Sequence, residues 1–162
     1  KLEDFCTPDY LYDFFSELYG IPTDRRDARK RMLFARFGIQ EFAQVRVRDL
    51  STGMKQKVSL VISLVQDPEI IIFDEPTNGL DILTAKVVTD FLLDLKEQGK
   101  TIIISTHIFS LVEKICDRVG IIINGRMAAC EDLRTLCGDK SLEDRFFEIY
   151  EAVNGEDENH DK

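Results

Sequence analysis

The apolar positions change their spacing several times along this chain. From Pro8 they fall on a helical period at Leu11, Phe14, Phe15 and Leu18, and Gly20 stops the run. Thr7 can cap that helix, with Pro8 at its first position and Asp9 near its positive end. A second helix is expected from a Thr23 cap, with Met32, Leu33 and Phe37 on its apolar face. Gly38 to Asp49 carries no clear period and reads as irregular. Ser51 caps a third predicted helix that reaches about Gln66.

Beyond Gln66 the pattern shortens. Ile70 to Phe73 is a continuous β-branched and aromatic run, as expected of a strand buried on both faces. A helix from about Leu83 to Gln98 follows and stops at Gly99. Thr101 to Ser105 is a second such strand, then come a helix over Phe109 to Cys116 and a strand over Val119 to Ile123. Asn124-Gly125 is a tight hairpin turn into Met127 to Cys130. Short helices near Glu131 to Leu136 and Leu142 to Ala152 complete the ordered part. The fold class is therefore α/β. Residues 1–66 form a helical subdomain at the N-terminal side, residues 67–153 a parallel-sheet core ending in a β-hairpin plus helices, and residues 154–162 an acidic tail expected to be disordered.

Composition narrows the function. The chain has 162 residues, 44% of them hydrophobic and 31% charged, the balance of a globular domain. Its formal charge of −9 disfavours a nucleic-acid surface. The four cysteines, Cys6, Cys116, Cys130 and Cys137, form no C-x-x-C pair, and two histidines add no zinc pattern. They read as free thiols of a reducing compartment. No apolar run has the length to span a bilayer.

The candidate chemistry sits where the strands end. In open α/β sheets ligands bind outside the carboxyl ends of the strands. Asp74-Glu75 closes one strand, and Thr106-His107 follows the other. Two acids and a histidine at neighbouring parallel strand ends suit metal-assisted phosphoryl transfer. Asp74 can hold a magnesium ion through water, Glu75 can orient or deprotonate an attacking water, and His107 can sense a terminal phosphate. The start of the third helix, Leu50-Ser51-Thr52-Gly53-Met54-Lys55-Gln56-Lys57, presents a hydroxyl, a glycine and unpaired amides, the makings of an anion site. A phosphate cradle of the G-x-x-x-x-G-K-[ST] type is not in this sequence. Gly99-Lys100-Thr101 imitates its end, but Asp94 stands at the first glycine position and a helix precedes it where a strand is needed.

These segments, in this order, resemble the nucleotide-binding domain of ATP-binding cassette (ABC) transporters, exporter-like in kind. LSTGMKQK looks like the family's signature motif, IIIFDE its Walker B strand with the catalytic glutamate, NGLD its D-loop and STH its switch-histidine loop. The resemblance covers about residues 5–150. It implies a partial P-loop NTPase fold with ATP and Mg2+ as cofactors. Carried over by position, Asp74 is the magnesium-site carboxylate, Glu75 the general base and His107 the switch. Ser51, Thr52, Gly53 and Met54 belong to the signature that meets ATP held by the opposite subunit, and Asp81 couples the two sites. The implied partners are a second nucleotide-binding domain in a head-to-tail dimer and a transmembrane permease domain on which the first two helices dock, with no nucleic acid. The implied location is the cytoplasmic side of a membrane, peripherally bound, and the implied work is powering export. Thr52 stands where the family usually has Gly, Met54 where Gln is usual, and Ile82 where Pro is common. The family's Walker A loop, base-stacking aromatic and Q-loop correspond to positions before Lys1. The chain alone is therefore expected neither to bind ATP tightly nor to hydrolyse it. Alternatives of another class are the C-terminal lobe of an SMC-like chromosome-maintenance ATPase, a translation-regulating tandem cassette and a non-catalytic cassette used as an interaction module. The first needs a heptad coiled coil, which Gly20, Pro22 and Gly38 interrupt. The second needs basic arms for RNA, and the third has no use for both Glu75 and His107.

Overall fold

A computed structural model describes residues 2–160, with side chains described for residues 4–155. The chain divides into two compact units, Lys1–Ser105 and Thr106–Lys162.

The first unit is built on helices α1 (Pro8–Leu18), α2 (Thr23–Phe37) and α3 (Thr52–Ser63), a parallel strand pair β1 (Ile70–Asp74) and β2 (Thr101–Ser105), and the connecting helix α4 (Ile82–Glu97). Thr7 caps α1 as expected, its side chain accepting from the Tyr10 N–H at 3.2 Å. Thr23 does not cap α2. It is the first helical residue, and Pro22 takes the cap position without a side-chain bond. Two 3₁₀ turns, Ile39–Phe42 and Val47–Asp49, fill the stretch that has no period in the sequence. They bury Ile39 and Phe42.

The apolar faces of these helices meet. The Tyr12 ring packs edge-on against Phe34 at 5.6 Å, and Phe37 packs against Phe91 of α4 at 5.1 Å. Val61, Leu64, Val65, Val88 and Leu92 are buried with them. α3 reaches its cap at Leu64, earlier than the sequence suggested, because Leu64 and Val65 turn inward to join this core. α4 closes as expected at glycine. Gly99 takes a φ of +83°, its N–H bonds to the Lys96 carbonyl and that of Lys100 to the Leu95 carbonyl. That geometry removes the imitation cradle at Gly99-Lys100-Thr101, where the Gly99 and Lys100 amides serve the end of a helix.

β1 and β2 are parallel and paired in register from Ile70↔Thr101 to Asp74↔Ser105. One expectation from the sequence fails: β1 is not buried on both faces. Its pleat sends Ile71 and Phe73 into the core and Ile70 and Ile72 outward, where they are 63% and 73% exposed. Ile103 of β2 is 53% exposed on the same account. The apolar run looked two-sided because every residue in it is hydrophobic. Among the described residues one face alone is covered.

The second unit holds α5 (Phe109–Ile115), the hairpin β3 (Arg118–Ile123) and β4 (Arg126–Asp132), α6 (Leu133–Cys137) and α7 (Leu142–His160). Asn124 and Gly125 both adopt positive φ, the geometry of the tight turn predicted for them. The hairpin is antiparallel and forms its own two-stranded ladder, separate from β1 and β2. Val112, Ile121, Ile123, Leu136 and Leu142 form the buried centre of this unit, with Phe146, Ile149 and Val153 of α7 packed on it. α7 continues past the predicted end at Ala152 to His160, into the stretch expected to be disordered. Gly155 costs a helix about 1 kcal/mol, and no proline follows to end it. The last residues of that acidic stretch, 161 and 162, lie outside the described residues.

Candidate functional site at the strand ends

β1 delivers its acids at the carboxyl end, as the strand pattern requires. Asp74 is its last residue and is exposed, opposite Ser105 on β2. The Ser105 hydroxyl donates a hydrogen bond to Asp74 Oδ1. Glu75 then leaves the strand in the left-handed region, at φ +45°. A side chain there costs about 1 kcal/mol or more, and two backbone bonds hold it. The Glu75 N–H donates to the Ser105 carbonyl at 2.9 Å, and its own carbonyl accepts from the Asn78 N–H at 3.1 Å. Pro76 and Thr77 are buried beneath the turn. The acid pair is thus fixed on a pinned backbone.

The loop continues through Gly79 and Leu80 to Asp81, which caps α4. Asp81 Oδ1 accepts from the Thr84 N–H at 3.0 Å, and Oδ2 from the Thr84 hydroxyl at 2.7 Å. These bonds, the hydroxyl first, hold the Asp81 carboxyl below its ordinary range.

The start of α3 lies on the same loop. A Cβ at Gly53 would stand 3.7 Å from Leu80 Cδ2, and one at Gly79 would stand 3.9 Å from Thr52 Cγ2. Ser51 caps α3, its hydroxyl accepting from the Met54 N–H at 3.2 Å. Thr52 and Gly53 occupy the first turn, ahead of the helix's own hydrogen-bond ladder. Ser51 and Thr52 are exposed, Gly53 and Met54 half-buried. The structure therefore brings together four of the sequence candidates at the α3 start and sets them against the loop between Glu75 and Asp81. His107 lies in the second unit, two positions beyond the end of β2, and is exposed.

Ser105, the first residue of the STH segment and given no role there, touches both acids. The signal was present in its place as the last residue of the second strand, but its use depends on the parallel register.

Among the described residues no group of three or more His, Cys, Asp or Glu could cage a metal ion. Magnesium does not need such a cage. It keeps several waters and is held through one or two carboxylates and the substrate's phosphates. An exposed Asp74 with one oxygen engaged by Ser105 fits that role. The donors for a triphosphate fit in part: a carboxylate end and a helix start are present, and a lysine-and-amide cradle is not in the sequence.

The family model for the ABC transporter matches residues 5–78. The ABC transporter ATP-binding protein NatA of Bacillus subtilis is 38% identical over 143 residues, which cover 88% of this chain and 58% of that protein. A fluoroquinolones export ATP-binding protein of Mycobacterium tuberculosis is 36% identical over 118 residues, 73% of this chain and 38% of its own length. A solved structure of an ATP-binding subunit of an ABC transporter superposes with a TM-score of 0.84 at 28% identity, over 90% of this chain and 63% of that one. The chain belongs to the ABC transporter family of ATP-binding proteins and carries part of their domain. It spans about half the length of the curated relatives it matches. No described helix is long and apolar enough to cross a membrane.

Proposed function

We propose that this chain supplies the signature helix and the acid pair of an ATP-hydrolysing subunit that powers export across a membrane. The observation that carries the reading is Asp74-Glu75, pinned at the carboxyl end of a parallel strand, with the α3 start packed on the loop that follows. Asp74 would hold the magnesium ion that accompanies ATP, which when bound would supply charge stabilisation to the phosphates. Glu75 takes the proton of the attacking water, and His107 senses the terminal phosphate. Ser51, Thr52, Gly53 and Met54 present a helix start to ATP bound by a second, head-to-tail nucleotide-binding domain, and Asp81 lies between the two sites. α1 and α2 face a transmembrane permease partner, on the cytoplasmic side of the membrane.

By themselves these residues offer an acid pair for the metal ion and a helix start but no lysine-and-amide cradle for the triphosphate, so the chain alone binds ATP weakly and does not turn it over. Titration calorimetry with magnesium and ATP tests this, with Glu75→Gln as the comparison. No heat at about millimolar ATP, where a Kd corresponds to roughly 4 kcal/mol, supports the reading. One-site binding that changes in Glu75→Gln overturns it.

A further inference from the structure

We infer that Ser105 is a positioning residue for both acids of the site, one that sets the affinity of Asp74 for the magnesium ion. The inference rests on the ATP-hydrolysing role proposed above. Ser105 reaches the acids by two separate groups. Its hydroxyl donates to Asp74 Oδ1, and its backbone carbonyl accepts the Glu75 N–H at 2.9 Å. The register places it directly opposite Asp74.

Each bond has a distinct consequence. The hydroxyl ties down one carboxylate oxygen and fixes the rotation of the group, so that Oδ2 is the oxygen offered to the cation or its water. Groups that orient a metal-binding carboxylate in this way alter metal affinity without touching the metal. The carbonyl bond belongs to the backbone and survives any change of side chain. It holds Glu75 in its left-handed turn, at φ +45°. A substitution at position 105 therefore separates the two effects: it frees the Asp74 carboxylate and leaves the Glu75 backbone in place. The chain passes from Ser105 straight into Thr106-His107. The residue that steadies the acids is thus two positions from the histidine proposed as the switch.

The test uses the protein at the full length its gene encodes, with a non-hydrolysable ATP analogue. Mn2+ replaces Mg2+, and the signal of free Mn2+ in electron paramagnetic resonance reports metal affinity independently of turnover. Ser105→Ala is expected to weaken Mn2+ binding by about tenfold while nucleotide affinity in chelator is unchanged. Ser105→Thr, which keeps the hydroxyl, is expected to restore it. Thermal melting by circular dichroism confirms folding, and Ser105→Cys, with its weak donor, serves in place of alanine if that variant is unfolded. Wild-type Mn2+ affinity in Ser105→Ala overturns the inference, and so does a folded Ser105→Thr that fails to recover. If the wild-type protein binds the analogue with no dependence on Mn2+, the ATP-site reading itself falls, an outcome the variants cannot imitate.

Discussion

Arg29 and Leu64 are joined across the helical part of the first unit: the guanidinium Nε of Arg29, on α2, donates to the Leu64 carbonyl at 2.9 Å. That carbonyl ends α3, the helix whose other end carries Ser51 and Gly53. The same guanidinium reaches Asp67 Oδ1 at 2.9 Å, and Lys100 reaches Asp67 and Glu69, the latter at 2.8 Å. One arginine therefore fixes the far end of α3 to the turn that leads into β1. Arg29→Ala is expected to lower the stability of the chain by about 1–2 kcal/mol, since the ion pair is partly exposed and the carbonyl loses a charged donor. A shift in the midpoint of urea unfolding with an unchanged slope checks it.

Tyr12 gives the opposite prediction. The ring is fully buried, and its hydroxyl has no hydrogen-bond partner among the described residues. Burial pushes its pKa up to about 12. Tyr12→Phe removes a polar atom that is not satisfied and keeps the edge-on contact with Phe34. Stability is expected to stay level or rise by up to about 1 kcal/mol. Chemical denaturation of the two proteins side by side checks it, and a larger loss would reveal a partner for the hydroxyl.

Gly53 separates folding from activity. It sits in helical backbone, and an added methyl would meet Leu80 at 3.7 Å, an ordinary contact. Gly53→Ala is therefore expected to fold, with stability level or higher by up to about 1 kcal/mol. If the α3 start receives a phosphate as proposed above, the same methyl would crowd the approach to the first-turn amides. ATP turnover of the full-length protein is expected to fall by about 100-fold, the scale of losing an oxyanion donor. Thermal melting and steady-state hydrolysis, measured on the same preparation, show whether the two properties part.

Asp81 links stability to acidity. Its folded pKa lies below the ordinary 3.8 because the carboxylate accepts from the Thr84 hydroxyl and N–H. The bonded form favours the fold above that ordinary value, and the advantage is lost as pH falls through the lower, folded one. Asp81→Asn keeps an oxygen acceptor at the cap but cannot titrate. Its unfolding midpoint is expected to decline less steeply than wild type between about pH 5 and 2. Denaturant melts across that range decide the matter, and parallel curves would mean that Asp81 does not govern the acid limb.

Several local signals in the sequence were faithful, though the Thr23 cap was not. β2 runs over the residues predicted, Thr101 to Ser105, because a β-branched run between a helix-stopping glycine and a polar turn leaves little choice. Asn124-Gly125 turned as its chemistry demands. The acids stand at a strand end because that strand could hardly end elsewhere. What the sequence hid was non-local. Nothing in Ile70-Ile71-Ile72-Phe73 tells which face is covered, since both faces are equally apolar. Ser105 joins Asp74 across a separation of 31 positions through a register that exists only once the strands pair. Arg29 reads as one charge among many in α2 until Leu64 and Asp67 are seen before it.

The contact between Leu80 and the start of α3 has a further consequence. The helix start at Gly53, which the proposed reading offers to a second subunit, and the loop through Leu80 behind the chain's own acids share one wall. A displacement of the loop is felt at the helix start within the same molecule, without a relay through distant parts. In a pair of such subunits, offering and receiving would then cease to be independent acts: each partner's readiness to be completed would be legible on the surface with which it completes the other.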